Sequence, residues 1–384
     1  MAVFKPEKAF LYGESLESLT ASLAEAGHPA FRARQLCEWL YRKGAREYAA
    51  MSSLPLALRQ WLEDNYTLQP ASFVLAKAAG DVTEKLLLEL GDGAYVETVI
   101  LRAPEGDDAE EGARQTLCVS SQVGCAYGCK FCASGLDGWK RNLLAGEIIA
   151  QVMCAAAHIA QKRGGAQART LSGIDNIVFM GMGEPLANFD NVVRAVEILH
   201  ADWGLGLGAR RITISTSGLA PQIRRLAEVP VQFRLAVSLH GATNQVRSAI
   251  MPVNNAYPLE ELLPAIKAFN EKRGRMVTLE YILIEDVNDA LSHAAALSDI
   301  ARDLHAHVNL IPYNPVPDLV WKRPNLRRQK AFCEVLSRAK TSFTIRRQKG
   351  DDIDAACGQL RLRKQREKEA LSGNGDAAQA ASKA

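Results

Sequence analysis

The chain has 384 residues, of which 48% are apolar and 23% charged, with a formal net charge of +3. This excludes a largely disordered chain and leaves length for one large barrel plus an accessory module, while so small a net charge points to no class of partner. The opening MAVFKPEKAF lacks the apolar core of a signal peptide, and no uncharged apolar run reaches about eighteen residues, so a cytoplasmic protein with no membrane partner is expected.

Residues 1–70 read as a helical accessory module, with Leu16, Leu19 and Leu23, then Leu36, Trp39 and Leu40, at periodic spacing. Inside it, FRARQLCEWLYRKGAR alternates cations with Phe31, Trp39 and Tyr41, and the helical spacing assigns much of that aromatic content to the core. From Ala71 to Arg102 short β-rich runs, KLLLEL and YVETVILR, suit a hairpin or meander joining two domains. The acidic, glycine-containing APEGDDAEEGA closes this linker region, residues 71–113, as an exposed loop.

Strand-like and helix-like stretches then alternate six times across residues 114–360, beginning with TLCVSS and AGEIIAQVMCAAAHIA and ending with HVNLIPY and LRRQKAFCEVLSRA. FTIRR is a candidate closing strand. Apolar β-rich runs separated by amphipathic helices predict a parallel sheet, so the fold class expected is α/β, a partial (β/α)6 barrel with a small N-terminal helical domain. Chemistry in such folds gathers at the carboxyl ends of the strands, where Cys118, Gly183, Ser215, His240 and Asn314 fall. Residues 361–384 start basic and end in LSGNGDAAQAASKA, which has no apolar period and is expected to be disordered. Residues 321–364 carry thirteen Lys or Arg against four Asp or Glu, a patch that suits a polyanion or, more plainly, a solvated helix face.

Eight cysteines in a reducing compartment point to metal ligation or catalysis rather than disulfides. Four fall within LCVSSQVGCAYGCKFCASG. Cys125, Cys129 and Cys132 form Cys-x3-Cys-x2-Cys, a spacing that lets three thiolates meet one small iron–sulfur cluster and leaves one of its irons open to a substrate or cofactor. A tetrahedral zinc site would need a fourth ligand, Cys118 or a distant histidine, and would make the chain a zinc-dependent RNA-binding module. Cys37, Cys154 and Cys333 sit in helical apolar patterns and read as packing residues. By composition alone Cys118 and Cys357 read as buried and inert, Glu97 as a strand carboxylate facing solvent, and His240 as a strand-end core histidine.

The three-cysteine loop resembles that of the radical S-adenosylmethionine (SAM) enzymes. With CVSSQVGC, MGMGEPLAN, ISTSG, SLHGATN, LIPYNP and GDDIDAACGQL, the chain from about residue 28 to residue 360 resembles their RNA adenine methyltransferase branch, the RlmN/Cfr family. The resemblance implies one [4Fe-4S] cluster on Cys125, Cys129 and Cys132, and two SAM molecules per turnover. It implies SAM contacts at Gly183, Glu184, Ser215, Ser238, Leu239, His240 and Asn314. The implied reaction is methylation of adenine C2 in the peptidyl transferase region of 23S rRNA and in tRNA anticodon loops, by a monomer served by a reduced flavodoxin-type donor. C2 is an electron-poor carbon, so polar methyl transfer should fail where a carbon radical can add.

The same resemblance makes Cys357 the thiol methylated by the first SAM. A radical from the second SAM takes a hydrogen from that methyl group, and the resulting methylene radical joins C2. Release then needs loss of an electron, deprotonation with Glu97 of VETV as general base, and attack by Cys118 on the Cys357 sulfur, leaving a disulfide. The acidic loop is expanded relative to the family pattern. The helical module and the basic C-terminal region become RNA-grasping surfaces for a splayed-out base. The rivals are the sister activity at adenine C8, which Pro185 and Ser217 fit less well, and a glycyl-radical activating enzyme, which has no use for Cys118 or Cys357.

Overall fold

The computed structural model describes residues 4–78, 83–102, 114–135, 138–164, 171, 173–315, 319–346, 360–361 and 364. Cys357, the acidic loop and the tail from residue 365 lie outside the described residues.

The N-terminal module holds β1 (Ala9–Phe10), α1 (Leu16–Glu25), α2 (Arg32–Cys37), α3 (Leu56–Asn65) and β2 (Tyr66–Thr67), with β1 and β2 paired in parallel. α1 starts where the Ser15 hydroxyl oxygen accepts the Ser18 N–H at 3.0 Å, satisfying one of the orphan donors of a helix start. Leu19 and Leu23, four residues apart, bury its inner face. The basic stretch divides: Tyr41 is buried and donates its hydroxyl to the Tyr12 carbonyl at 3.2 Å. Phe31, at the entrance of α2, stays 57% exposed. Trp39 is half-buried under Lys43, whose ammonium lies 3.8 Å from the ring centre. The module docks on the loop 201–204, where Arg42 donates to the Asp202 carbonyl at 2.7 Å.

β3 (Ala71–Ala78), β4 (Thr83–Leu90) and β5 (Tyr95–Arg102) form the expected meander, but it does more than join. β5 pairs antiparallel with β6 (Gln115–Cys118), so the meander extends the main sheet. β7 (Gln122–Gly124) and β8 (Trp139–Asn142) make a separate hairpin that carries the three-cysteine loop. The chain continues through α4 (Ala145–Lys162), β9 (Asn176–Phe179), α5 (Phe189–His200), β10 (Ile212–Thr216), α6 (Ala220–Leu226), β11 (Arg234–Ser238), α7 (Asn244–Ile250) and α8 (Leu259–Arg273). It ends with β12 (Thr278–Leu283), α9 (Leu291–Asp303), β13 (His307–Pro312), α10 (Leu326–Arg338) and β14 (Phe343–Ile345). Among the described residues ten strands make one sheet, in the order β14-β13-β12-β11-β10-β9-β6-β5-β4-β3, and β6 with β9 to β14 run parallel. The six expected β-then-α units are present, and FTI of FTIRR supplies the added strand.

Alternation along the strands separates two faces. Ile177, Phe179, Ile212, Ile214, Val237, Leu279 and Leu310 are buried against the helical layer, each stabilising the fold by about 1.5–3 kcal/mol. Their neighbours Val178, Thr213, Ser215, Ser238 and Asn309 are only half-buried, because they face the lumen of the incomplete barrel. On β5 the Thr98 hydroxyl donates to Gln151 of α4 at 2.9 Å, which turns Glu97 and Val99 to the lumen side.

Candidate active site

Residues directly opposed on neighbouring strands share a face. Lys85 opposes Val99, Val99 opposes Cys118, and Cys118 opposes Val178. Val178 opposes Thr213, and Ser215 two positions on opposes Ala236, two before Ser238. Register alone therefore brings Glu97, Cys118, Ser215 and Ser238 to one lumen face, from strands far apart in sequence.

Glu97 is 2% exposed rather than facing solvent. Its Oε1 accepts the Arg361 backbone N–H at 2.8 Å, and its Oε2 lies 3.9 Å from the Lys85 ammonium, itself buried. The strand pattern treats this face as free, but pairing of β5 with β6 turns it inward and Arg361 covers it. Cys118 is also buried, at the carboxyl end of β6 and outside the ligand loop.

The segment after Cys118 is a spine for the site. Ser121 and Gln122 donate their N–H groups to the Met182 carbonyl at 2.8 and 3.2 Å, and the Gln122 side-chain oxygen accepts the Glu184 N–H at 2.9 Å. The MGMGEP turn lies so close to this spine that a Cβ on Gly183, whose φ is +97°, would stand 2.5 Å from the Gln122 Cβ. Glu184 is buried, its carboxylate taking the Leu186 N–H at 2.9 Å and the Ser217 N–H at 2.6 Å. Burial pushes its carboxyl above the usual carboxylate range, offset only in part by these donors and the Thr216 hydroxyl. The carboxylate thus clamps β9 to β10, with lone pairs left over for an ammonium group.

The cysteine loop is held at its base and its tip. At the base, Arg141 of β8 makes two 2.8 Å bonds to the Glu147 carboxylate of α4 and one of 2.7 Å to Asp92 of the meander. Gly124, at φ +76°, admits the Gly138 carbonyl to a position 1.8 Å from where a Cβ would be. At the tip, Lys130 donates its N–H to the Ile250 carbonyl at 3.0 Å, and Phe131 sets its ring edge-to-face on His240 at 4.9 Å.

His240 adopts φ +54° and accepts the Ile282 N–H on Nδ1 at 3.1 Å, so the ring proton sits on Nε2. Burial first, then the nearby Arg247 guanidinium, pushes its pKa down to about 3, and the ring is neutral. It is a strand-end histidine packed on the three-cysteine loop. Leu239 beside it is buried, and Asn314, after β13, accepts from Arg323 at 2.7 Å.

Sequence reasoning missed two charged groups here. Glu280 opposes Ser238 and is 6% exposed, with Asn309 donating to it at 2.7 Å. An acid at a lumen position of VTLEYILI was its visible signal. Arg247 is completely buried on α7, and no local pattern marks it, because what surrounds it comes from three other segments.

The loop's donor set fits an iron–sulfur cluster and SAM. Burial raises the Cys125 thiol to about 12 and raises Cys129 as well, and the neighbouring Cys132 sulfur adds to both, so the thiols lie close together and a bound cation favours their ionisation. Among the described residues no three His, Cys, Asp or Glu converge on a single-ion point, a convergence that a multi-iron cage binding each thiolate separately does not require. Soft sulfur donors select such a cage. Also among the described residues, no helix is long and apolar enough to cross a membrane.

The chain matches the Radical SAM superfamily over residues 119–296 and the Ribosomal RNA large subunit methyltransferase N-terminal domain over residues 11–68. It is 58% identical over 96% of its length to a probable dual-specificity RNA methyltransferase RlmN 3 of Opitutus terrae, covering 98% of that protein. It is 50% identical over 94% of its length to the probable RlmN of Akkermansia muciniphila, again covering 98%. A radical SAM methyltransferase from Sphaerobacter thermophilus superposes with a TM-score of 0.84 at 44% identity, over 91% of this chain and 98% of that one. A radical SAM sheet, a cysteine loop with a thiol and an acid beside it, and these likenesses make one conclusion: the chain belongs to the RlmN family of radical SAM RNA methyltransferases.

Proposed function

We propose that this enzyme methylates C2 of adenine in 23S rRNA and in tRNA, through Cys357 as methyl carrier and Cys118 as the thiol that releases the product. The observation that carries the reading is the lumen row: Glu97 and Cys118 stand on one face, beside the strand ends Ser215 and Ser238 and apart from the three ligand cysteines. Arg361, tied to Glu97, is four residues beyond Cys357, a span the chain covers in at most about 14 Å.

When bound, the [4Fe-4S] cluster and two SAM molecules supply an electron, a methyl group and a 5′-deoxyadenosyl radical. Cys125, Cys129 and Cys132 hold the cluster, while Gly183, Glu184, Ser215, Ser238, Leu239, His240 and Asn314 form the ledge for SAM. With one hydrogen atom given up by its methyl group to the 5′-deoxyadenosyl radical, the Cys357 sulfur would carry the methylene carbon to C2, giving a thioether between protein and RNA once the C2 proton has left and one electron has passed to an acceptor, a role the oxidised cluster would fill. Glu97 takes that proton. Cys118 then attacks the Cys357 sulfur, the bonding pair passes to the carbon, which is protonated to a methyl group, and a disulfide remains for a two-electron reductant. Exposed Lys322, Arg327 and Lys330 support phosphate contacts along the basic region, and a reduced flavodoxin suits the electron supply.

The test is mass spectrometry of nucleosides from 23S rRNA and tRNA treated with anaerobically reconstituted enzyme, reductant and SAM. 2-Methyladenosine from both RNAs is the expected product. 8-Methyladenosine would move the chain to the sister activity, and unmethylated RNA would defeat the reading.

A further inference from the structure

The guanidinium of Arg247 is fully buried, yet among the described residues its bonds go to neutral acceptors. Nη1 donates to the Asn254 side-chain oxygen at 3.0 Å, and Nη2 to the carbonyls of Ser217 and, at 3.5 Å, Ser238, while buried Nε has no partner. Arginine does not shed its proton in a folded protein, so among the described residues a permanent charge is held here without a hydrogen-bonded counter-charge. Such an arrangement is strongly destabilising unless an anion arrives. The cysteine loop supplies the place for one. Lys130, next to Cys129, bonds to the Ile250 carbonyl at 3.0 Å, one helical turn from Arg247, and the guanidinium lies within electrostatic reach of Cys129.

We propose that Arg247 is the built-in counter-charge of the iron–sulfur cluster. Three thiolates make the cage net negative, and reduction adds one more negative charge. A fixed cation within electrostatic reach of Cys129 therefore stabilises the reduced cage more than the oxidised one and raises its potential. No bond forms or breaks and no proton moves; the single electron comes from the external reductant. Arg247 acts through the ligand loop and is a positioning residue. The inference rests on the family's cluster and not on which RNA atom is methylated.

Wild type, Arg247→Lys and Arg247→Met would be reconstituted anaerobically with iron and sulfide, assayed for both, and titrated with dithionite under electron paramagnetic resonance. Arg247→Met is expected to shift the oxidised-to-reduced ratio at fixed potential at least tenfold toward oxidised, a midpoint about 59 mV lower for one electron. Arg247→Lys, keeping the charge, should stay close to wild type. A midpoint in Arg247→Met equal to that of wild type overturns the proposal. If Arg247→Met takes up no cluster, melting of the metal-free proteins decides. A metal-free variant as stable as metal-free wild type supports the counter-charge, and one that is unfolded without metal shows an ordinary packing residue and overturns it. A wild type that binds no iron overturns this inference together with the cluster assignment, whereas an unmoved potential overturns this inference alone.

Discussion

The two walls of the lumen are built by different physics. The wall from β9 to β11 is assembled at close quarters from backbone: Gly183 lies against Gln122, Glu184 accepts two N–H groups, and His240 is neutral with its Nδ1 taken by Ile282. The meander wall instead seals charge, with Lys85 and Glu97 both nearly inaccessible and the Arg361 N–H laid over the carboxylate. The first wall suits holding a zwitterionic cofactor in one orientation, since fixed dipoles cost no reorganisation. The second suits proton and sulfur chemistry, which needs groups that change charge.

The sharpest way to break this division is at Cys118. If the meander wall releases product, Cys118→Ala should still form the protein–RNA thioether but fail to resolve it, limiting each enzyme to a single covalent event. Denaturing electrophoresis of labelled RNA would show the adduct accumulating. A Cys118→Ala enzyme with ordinary multiple turnover would remove the thiol from the chemistry.

Glu97 comes next, because its two duties can be separated. Glu97→Gln keeps an oxygen for the Arg361 N–H but loses the base, and turnover should fall about 10²–10⁴-fold with the fold largely kept. Glu97→Leu loses both and strips Lys85 of a buried anion, at a cost of about 3–5 kcal/mol in denaturant unfolding. Adding Lys85→Met to Glu97→Leu should recover much of that loss, because an apolar pair replaces an ionic one. Strictly additive losses would show that the two residues are not coupled.

The contrast between the walls also explains what could be read in the sequence. The fold was legible because each β-then-α unit carries its own period, and the three-cysteine loop because Cys125, Cys129 and Cys132 are close in sequence. Glu97 was visible only through VETV, since its burial depends on β5 meeting β6 and on a residue 264 positions away. Arg247 had no signal at all: Ser217, Ser238 and Asn254 surround it from separate segments. Phe31 failed in the opposite direction, its helical spacing true but its place at the mouth of α2 leaving it without a partner face.

The smallest expected effect probes the backbone-built wall through His240. Its folded pKa of about 3 lies below the ordinary value of 6.5, so the unfolded chain binds the proton more readily. Stability from this group is therefore complete above pH 6.5 and is lost progressively as pH falls from 6.5 toward 3. By pH 5 the loss should be about 2 kcal/mol. His240→Asn, which tolerates the left-handed backbone at this position, should flatten the acid side of a stability–pH curve measured by denaturant unfolding. The sealed Lys85–Glu97 pair is untouched by this substitution, so the flattening belongs to the wall beneath the cysteine loop. An unchanged acid slope in His240→Asn would mean that the ring is solvated and protonated in the folded enzyme, and the close packing ascribed to the β9–β11 wall would no longer hold.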